Sequence, residues 1–168
     1  INKNVQICDK KIILFPGKFV KQKRPIFLIE AFLNAKVSND WILVLVGGGG
    51  LFHKQVLEII NKEKRNKIYY LGFKSLKEMS MLYQLSEIVV LPSDYGETNG
   101  NSLLEASQYN CSLIASDRVG SYPEILEDKA GLVFDASDKR DLIKKIELLT
   151  NDDDLRTQLK TNSLKFSK

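Results

Sequence analysis

Residues 41–47 read WILVLVG, a run that is apolar on both alternating faces and closes on a glycine. A strand with one wet face would alternate polar and apolar side chains. A run apolar on both faces belongs in the interior of a parallel sheet covered by helices on each side. The segments around it repeat the unit. Downstream, LFHKQVLEIINKE (51–63) is amphipathic, with Val56, Ile59 and Ile60 near helical spacing. Upstream, KIILFPG (11–17) is β-rich and ends at Gly17. RPIFLIEAFLNA (24–35) offers Pro25 to a first helical turn and puts Ile26, Ile29, Phe32 and Leu33 on one face.

Four more strands follow at 67–73, 87–93, 111–117 and 131–135, with helices at 76–85 and Asn101–Tyr109. Residues 138–166 read as two helices broken near Asn151, with Asp152 or Asp153 as N-cap. Six short strands separated by helices specify an α/β fold: a doubly wound, mainly parallel six-stranded Rossmann-like sheet with right-handed crossovers.

Composition narrows the chemistry. The 168 residues suit one domain, with 43% hydrophobic and 27% charged residues as in ordinary globular proteins. A net charge of +4 is too mild to argue for nucleic acid, so no nucleic-acid partner is expected. No apolar run reaches the ~18 residues of a membrane helix, and the first residues do not read as a signal peptide. Cys8 and Cys111 read as reduced, buried thiols of an intracellular protein. His53, the only histidine, reads as an exposed helix residue, and no Cys or His pair has ligand spacing, so no metal is expected.

In doubly wound sheets ligands lie beyond the carboxyl ends of the strands, where strand order reverses. With the order 3-2-1-4-5-6, that crevice lies between the first and fourth strands. The segment GKFVKQKR then brings Lys18, Lys23 and Arg24 to one side. The segment SDYGETNGNS brings Glu97 and a helix start near Gly100 to the other. Cations together with free backbone N–H groups suit phosphate. The segment lacks Walker A spacing, and VGGGGLFHK (46–54) is no dinucleotide fingerprint. Gly47-x-Gly49 would need glycine where Phe52 stands, and Gly48-x-Gly50 would need it where His53 stands. The four glycines make a strand-to-helix turn that permits close backbone approach. Glu105 lies in the second turn of the helix that starts near Gly100, about 7 Å along its axis, where carboxylate oxygens can reach ligand hydroxyls. Asp94 and Asp117 read as loop or capping residues.

LPSDYGETNGNSLLEAS (91–107) resembles the Glu-x7-Glu segment of retaining glycosyltransferases of the GT-B fold, the glycosyl transferases group 1 family. FPGKFVKQKRPIFLIEAFLNA, WILVLVGGG, IYYLGF, LIASDRVGSYPEIL and AGLVFD resemble further family segments in the same order, so the similarity covers about residues 11–150. The resemblance implies that Glu105 binds the ribose hydroxyls of a sugar nucleotide and Glu97 contacts the transferred sugar. Lys18 and Lys23 would neutralise the diphosphate with backbone N–H groups around Gly100, Asn101 and Ser102. Gly72 and Phe73 would border the base, and Gly17 and Gly48 would complete the substrate contacts. Catalytic roles fall to Glu97, Lys18 and Lys23.

The donor would be a UDP-, GDP- or ADP-sugar, with no cofactor and no metal, and the acceptor a glycan or lipid-linked molecule. Residues 1–168 would form a single nucleotide-sugar-binding domain, the C-terminal half of a two-domain enzyme whose N-terminal acceptor domain is absent. Alone, it would bind nucleotide and catalyse little or nothing. The whole enzyme would work in the cytoplasm or peripherally at the inner face of the cell membrane. A non-catalytic nucleotide-binding module and a GT-B sugar-nucleotide epimerase are the alternatives. Lys18 stands where the family has arginine, Arg24-Pro25 where glycine often follows the lysine, Asn99 where an aromatic residue is common, and YNCS (109–112) where a Gly-x-Pro turn is usual.

Overall fold

The computed structural model describes residues 9–64, 67–95, 97–127 and 129–166, which leaves Cys8 outside the described residues. Six strands alternate with seven helices along them: β1 (Lys11–Gly17), α1 (Pro25–Asn34), β2 (Trp41–Gly47), α2 (His53–Lys62), β3 (Ile68–Tyr70), α3 (Leu76–Leu85), β4 (Ser86–Leu91), α4 (Asn101–Ser107), β5 (Ser112–Ser116), α5 (Tyr122–Glu127), β6 (Gly131–Phe134), α6 (Lys139–Asn151) and α7 (Asp153–Phe166). The strands form one sheet in the order β3-β2-β1-β4-β5-β6, and every pairing in it is parallel.

The two-sided apolarity of the strands has its structural counterpart in two separate cores. Ile13, Phe15, Leu43, Leu45, Ile88 and Val90 face one side, with Leu28 and Phe32 of α1, Val56 of α2 and Leu142 and Ile146 of α6. Their neighbours Ile12, Leu14, Ile42, Val44, Val89 and Leu91 face the other, with Tyr83 of α3, Leu103 of α4 and Ile125 of α5. Burying each such side chain contributes about 1.5–3 kcal/mol. A one-residue register slip in a central strand would exchange its two sets of side chains between differently shaped cores.

Local signals account for several boundaries. Pro25 occupies the first turn of α1. Ser75 and Glu78 form a reciprocal capping box at α3. Asp152 caps α7 by accepting from Leu155 N at 2.8 Å. Two expectations need correction. The buried stripe of α1 is Leu28, Ile29, Ala31 and Phe32, while Ile26 and Leu33 only flank the core. The helix is covered by α6 as well as by the sheet, so its buried face is wider and rotated. Helix α4 ends at Ser107 rather than Tyr109, because Gln108–Asn110 turn into β5 and Asn110 takes φ 60°. Helix α5 carries no sequence signal of its own, since SYPEIL is too short to show periodicity.

The sheet opens where a ligand would enter. Pairing of β1 with β2 runs the whole length to Gly17↔Gly47, whereas its pairing with β4 ends at Leu14↔Val89. Pro16, which has no N–H to give a ladder, sits just beyond that last β4 pair. The carboxyl ends of β1 and β4 therefore diverge, and the loops after them face each other.

Candidate functional site

The loop after β1 is fastened on both flanks. Phe19 N donates to Gly49 O at 3.1 Å and Asp94 N donates to Gln22 O at 2.7 Å, so the segment is tied to the glycine turn and to the β4–α4 loop. The end of β1 passes under the stem of Lys23. A β-carbon on Gly17 would lie 3.7 Å from Lys23 Cδ. The Lys23 ammonium reaches across the divergence and pairs with Glu97 Oε2, with side-chain exposures of 23% and 16%. The same carboxylate oxygen accepts from the Ser93 hydroxyl at 3.5 Å, and Ser93 is fully buried. Glu97 O accepts from Gly120 N at 3.0 Å, which fixes the loop from the β5 side. Two residues read from opposite sides of the crevice thus meet in one ion pair.

Lys18 is exposed at the mouth. Arg24, expected beside the lysines, is turned away. It adopts φ 49°, donates from Nη1 to Ala136 O at 2.7 Å, and stacks on Phe27 at 3.7 Å. Burial lowers the Arg24 pKa from its ordinary value. Asp94 has a loop role: its Oδ1 accepts from Tyr95 N at 2.9 Å and pairs with Arg118 from the β5–α5 loop. The hydrogen bond from Arg118 holds the Asp94 carboxyl below the usual carboxylate range. Asp117 likewise accepts from Ala136 N at 2.9 Å.

On the other side of the opening, α4 starts at Gly100 with φ 58°. A β-carbon there would lie 2.8 Å from Val119 Cγ1 and 2.9 Å from Ser121 Oγ, so glycine is required on both counts. Asn101 and Ser102 open the helix, where the first N–H groups have no intrahelical acceptor. Glu105 is exposed but oriented: the hydroxyl of Tyr83 donates to its Oε2 at 2.9 Å. Burial first, and then the Glu105 charge, raises the Tyr83 pKa, so this phenol stays a donor. Asn99 lines a hollow of about 400 Å³ with Thr98, Leu104, Ser121 and Glu124.

The glycine turn after β2 is more structured than its composition implied. Gly48 N donates to Gly17 O at 3.1 Å, and a β-carbon on Gly48 (φ 102°) would strike Tyr70 Oη at 2.2 Å. His53 is not an exposed helix residue. It is half-buried, accepts from Gly49 N at its Nδ1 at 3.0 Å, and stacks on Phe19. Its place in the first turn of α2 aims the ring back over the glycines rather than outward. Gly72 has open space over its Cα and Phe73 is 71% exposed, so both border the rim. Cys111 is buried, and burial pushes its thiol up to about 12. No group of three or more His, Cys, Asp or Glu side chains among the described residues is placed to hold a metal ion. No helix among them is long and apolar enough to cross a membrane.

Sequence reasoning missed Tyr83, Ser93 and Arg118, which set the poses of Glu105, Glu97 and Asp94. Tyr83 lies 22 residues from Glu105 and reads simply as an apolar helix position. Only the placement of α3 and α4 on the same face of the sheet links the two.

This doubly wound, all-parallel sheet is the Rossmann-like domain of the GT-B glycosyltransferases. The chain belongs to the glycosyl transferases group 1 family, which it matches over residues 1–166. It is 32% identical over 162 residues to an uncharacterized glycosyltransferase of Methanocaldococcus jannaschii, covering 95% of this chain and 44% of that protein. A Campylobacter jejuni α-1,4-N-acetyl-D-galactosaminyltransferase, named for a diphospho-undecaprenol-linked acceptor, is 26% identical over 157 residues, 92% of this chain and 42% of its own.

Among solved structures, the C-terminal domain of a Francisella tularensis glycosyl transferase group 1 protein superposes with TM-score 0.81 at 25% identity, covering 93% of this chain and 83% of that one. HepE of Anabaena, solved with UDP-glucose, shares the fold with TM-score 0.84 at 17% identity, covering 96% and 44%. The chain spans less than half the length of the curated relatives it matches.

Proposed function

We propose that this chain is the donor-binding half of a retaining glycosyltransferase that moves a sugar from a nucleoside-diphosphate sugar to a glycan or lipid-linked acceptor. The observation that carries the reading is the meeting of Lys23 and Glu97 across the diverging ends of β1 and β4, in a chain of the glycosyl transferases group 1 family. UDP-glucose in HepE and the undecaprenol-linked acceptor in the name of the Campylobacter relative support the substrate classes.

In this reading Glu105, oriented by Tyr83, takes the ribose hydroxyls. Lys23 and Lys18, with the first N–H groups of α4 at Asn101 and Ser102, take the diphosphate. Phe73 and Gly72 border the base, and Glu97 faces the transferred sugar. Gly17 and Gly48 shape the floor. As the glycosyl bond breaks, the cations stabilise the departing diphosphate while the sugar centre becomes oxocarbenium-like, with no metal required. The acceptor site belongs to a further domain of the same polypeptide, so the chain alone binds donor and transfers little. The whole enzyme acts in the cytoplasm or at the inner face of the membrane.

Thermal denaturation with millimolar UDP, GDP or ADP tests the reading. One of them should raise the melting temperature, and Glu105→Ala and Lys23→Ala should each reduce that rise. Absence of a rise with all three would refute it.

A further inference from the structure

The two groups assigned to different parts of the donor are, in this structure, each other's partner. Lys23 is to hold diphosphate and Glu97 is to face sugar, yet the ammonium and the carboxylate are joined directly. Both are largely withdrawn from water, at 23% and 16% side-chain exposure. Either charge left alone there would be less well solvated than in open water, which favours an anion beside Lys23. We infer that the Lys23–Glu97 pair is a latch released by the donor's diphosphate: phosphate replaces the carboxylate on Lys23, and Glu97 becomes available to the sugar only then. This rests on the donor-binding reading above.

The surroundings make the exchange a side-chain event. The β1–α1 loop is tied by Phe19 N to Gly49 O and by Gln22 O to Asp94 N, and the β4–α4 loop by Gly120 N to Glu97 O. Neither loop needs to move. The Lys23 stem lies over Gly17, where no β-carbon obstructs its rotation. Glu97 does not swing free when Lys23 leaves, because Ser93 still donates to it and is itself buried, with its carbonyl accepting from the Ser116 hydroxyl. The carboxylate therefore stays aimed while it loses its counter-charge. A sugar hydroxyl, or positive charge developing on the sugar, is what it then lacks.

The latch has a sign opposite to that of a simple contact residue. Glu97→Gln keeps the shape and removes the charge that competes for Lys23, so it tightens nucleoside diphosphate binding. Relief of plain repulsion between Glu97 and the diphosphate would also tighten it, and a double-mutant cycle separates the two. Isothermal titration of the best-bound of UDP, GDP and ADP is made on the wild-type chain, Glu97→Gln, Lys23→Met and the double variant. Glu97→Gln should lower Kd roughly two- to tenfold, as expected for loss of a partly buried competing ion pair.

In the Lys23→Met background the same change should give less than half that gain on a logarithmic scale. Equal gains in both backgrounds, or no gain in either, overturn the latch while leaving donor binding intact. No binding by any of the four proteins overturns the donor reading and the latch with it. A readout on the wild-type chain needs no variant: the Glu97 carboxyl carbon resonance should shift on diphosphate titration as the carboxylate loses Lys23. An unmoved Glu97 signal at saturation also overturns the latch.

Discussion

Replacing Gly100 by alanine isolates what the start of α4 demands, provided Gly72→Ala is measured beside it. Both glycines sit at positive φ, 58° and 73°, so both substitutions carry the left-handed strain of an L-residue, about 1–2 kcal/mol. They differ in space. Nothing lies within 4 Å of a β-carbon at Gly72, whereas one at Gly100 would lie 2.8 Å from Val119 Cγ1 and 2.9 Å from Ser121 Oγ. Val119 is fully buried and cannot retreat without disturbing the β5–α5 loop. Overpacking of this kind adds about 1–3 kcal/mol. Gly72→Ala should therefore destabilise by about 1–2 kcal/mol and Gly100→Ala by about 2–5 kcal/mol. In a chain of this size the larger loss lowers Tm by roughly 5–15 °C. Urea denaturation at 25 °C gives both values directly. If the two variants agree within about 0.5 kcal/mol, the close packing of α4 against the β5–α5 loop is wrong, and with it the placement of the Asn101 and Ser102 N–H groups.

Two further predictions concern titration and reactivity. The Asp94 pKa is depressed in the folded chain, chiefly by Arg118, so its contribution to stability is present above the ordinary value of about 3.9 and lost as pH falls through the lower folded value. Carbon-13 titration should show Asp94 ionised at pH values where an ordinary aspartate is protonating, and Arg118→Ala should raise its pKa towards the ordinary range. An ordinary wild-type value would refute the pairing. Cys111, with its thiol pushed up to about 12 by burial, should react with a disulfide reagent at pH 8 only after denaturation. The experiment uses a Cys8→Ser background, and rapid labelling of the native chain would contradict the burial.

The sequence by itself determined the βα alternation, the parallel sheet and the crevice, because those follow from periodicity. WILVLVG needs apolar cover on both faces, and the resulting pattern admits few topologies. It also placed Lys23 and Glu97 on facing loops, since loops after β1 and β4 must meet where strand order reverses. What it could not contain were contacts set by side-chain direction between distant segments. The Arg24 guanidinium packs on Ala136 O and Phe27 rather than joining the lysines near it in sequence. His53, read as a surface residue, folds back over the glycine turn because the first turn of α2 points it there. Tyr83 reaches Glu105 only because α3 and α4 pack on the same face of the sheet. Periodicity fixes which face of an element is buried, but rotation and reach against a neighbour depend on all the elements packed at once. That is why the tertiary structure alone decided that Lys23 and Glu97 are partners rather than merely neighbours.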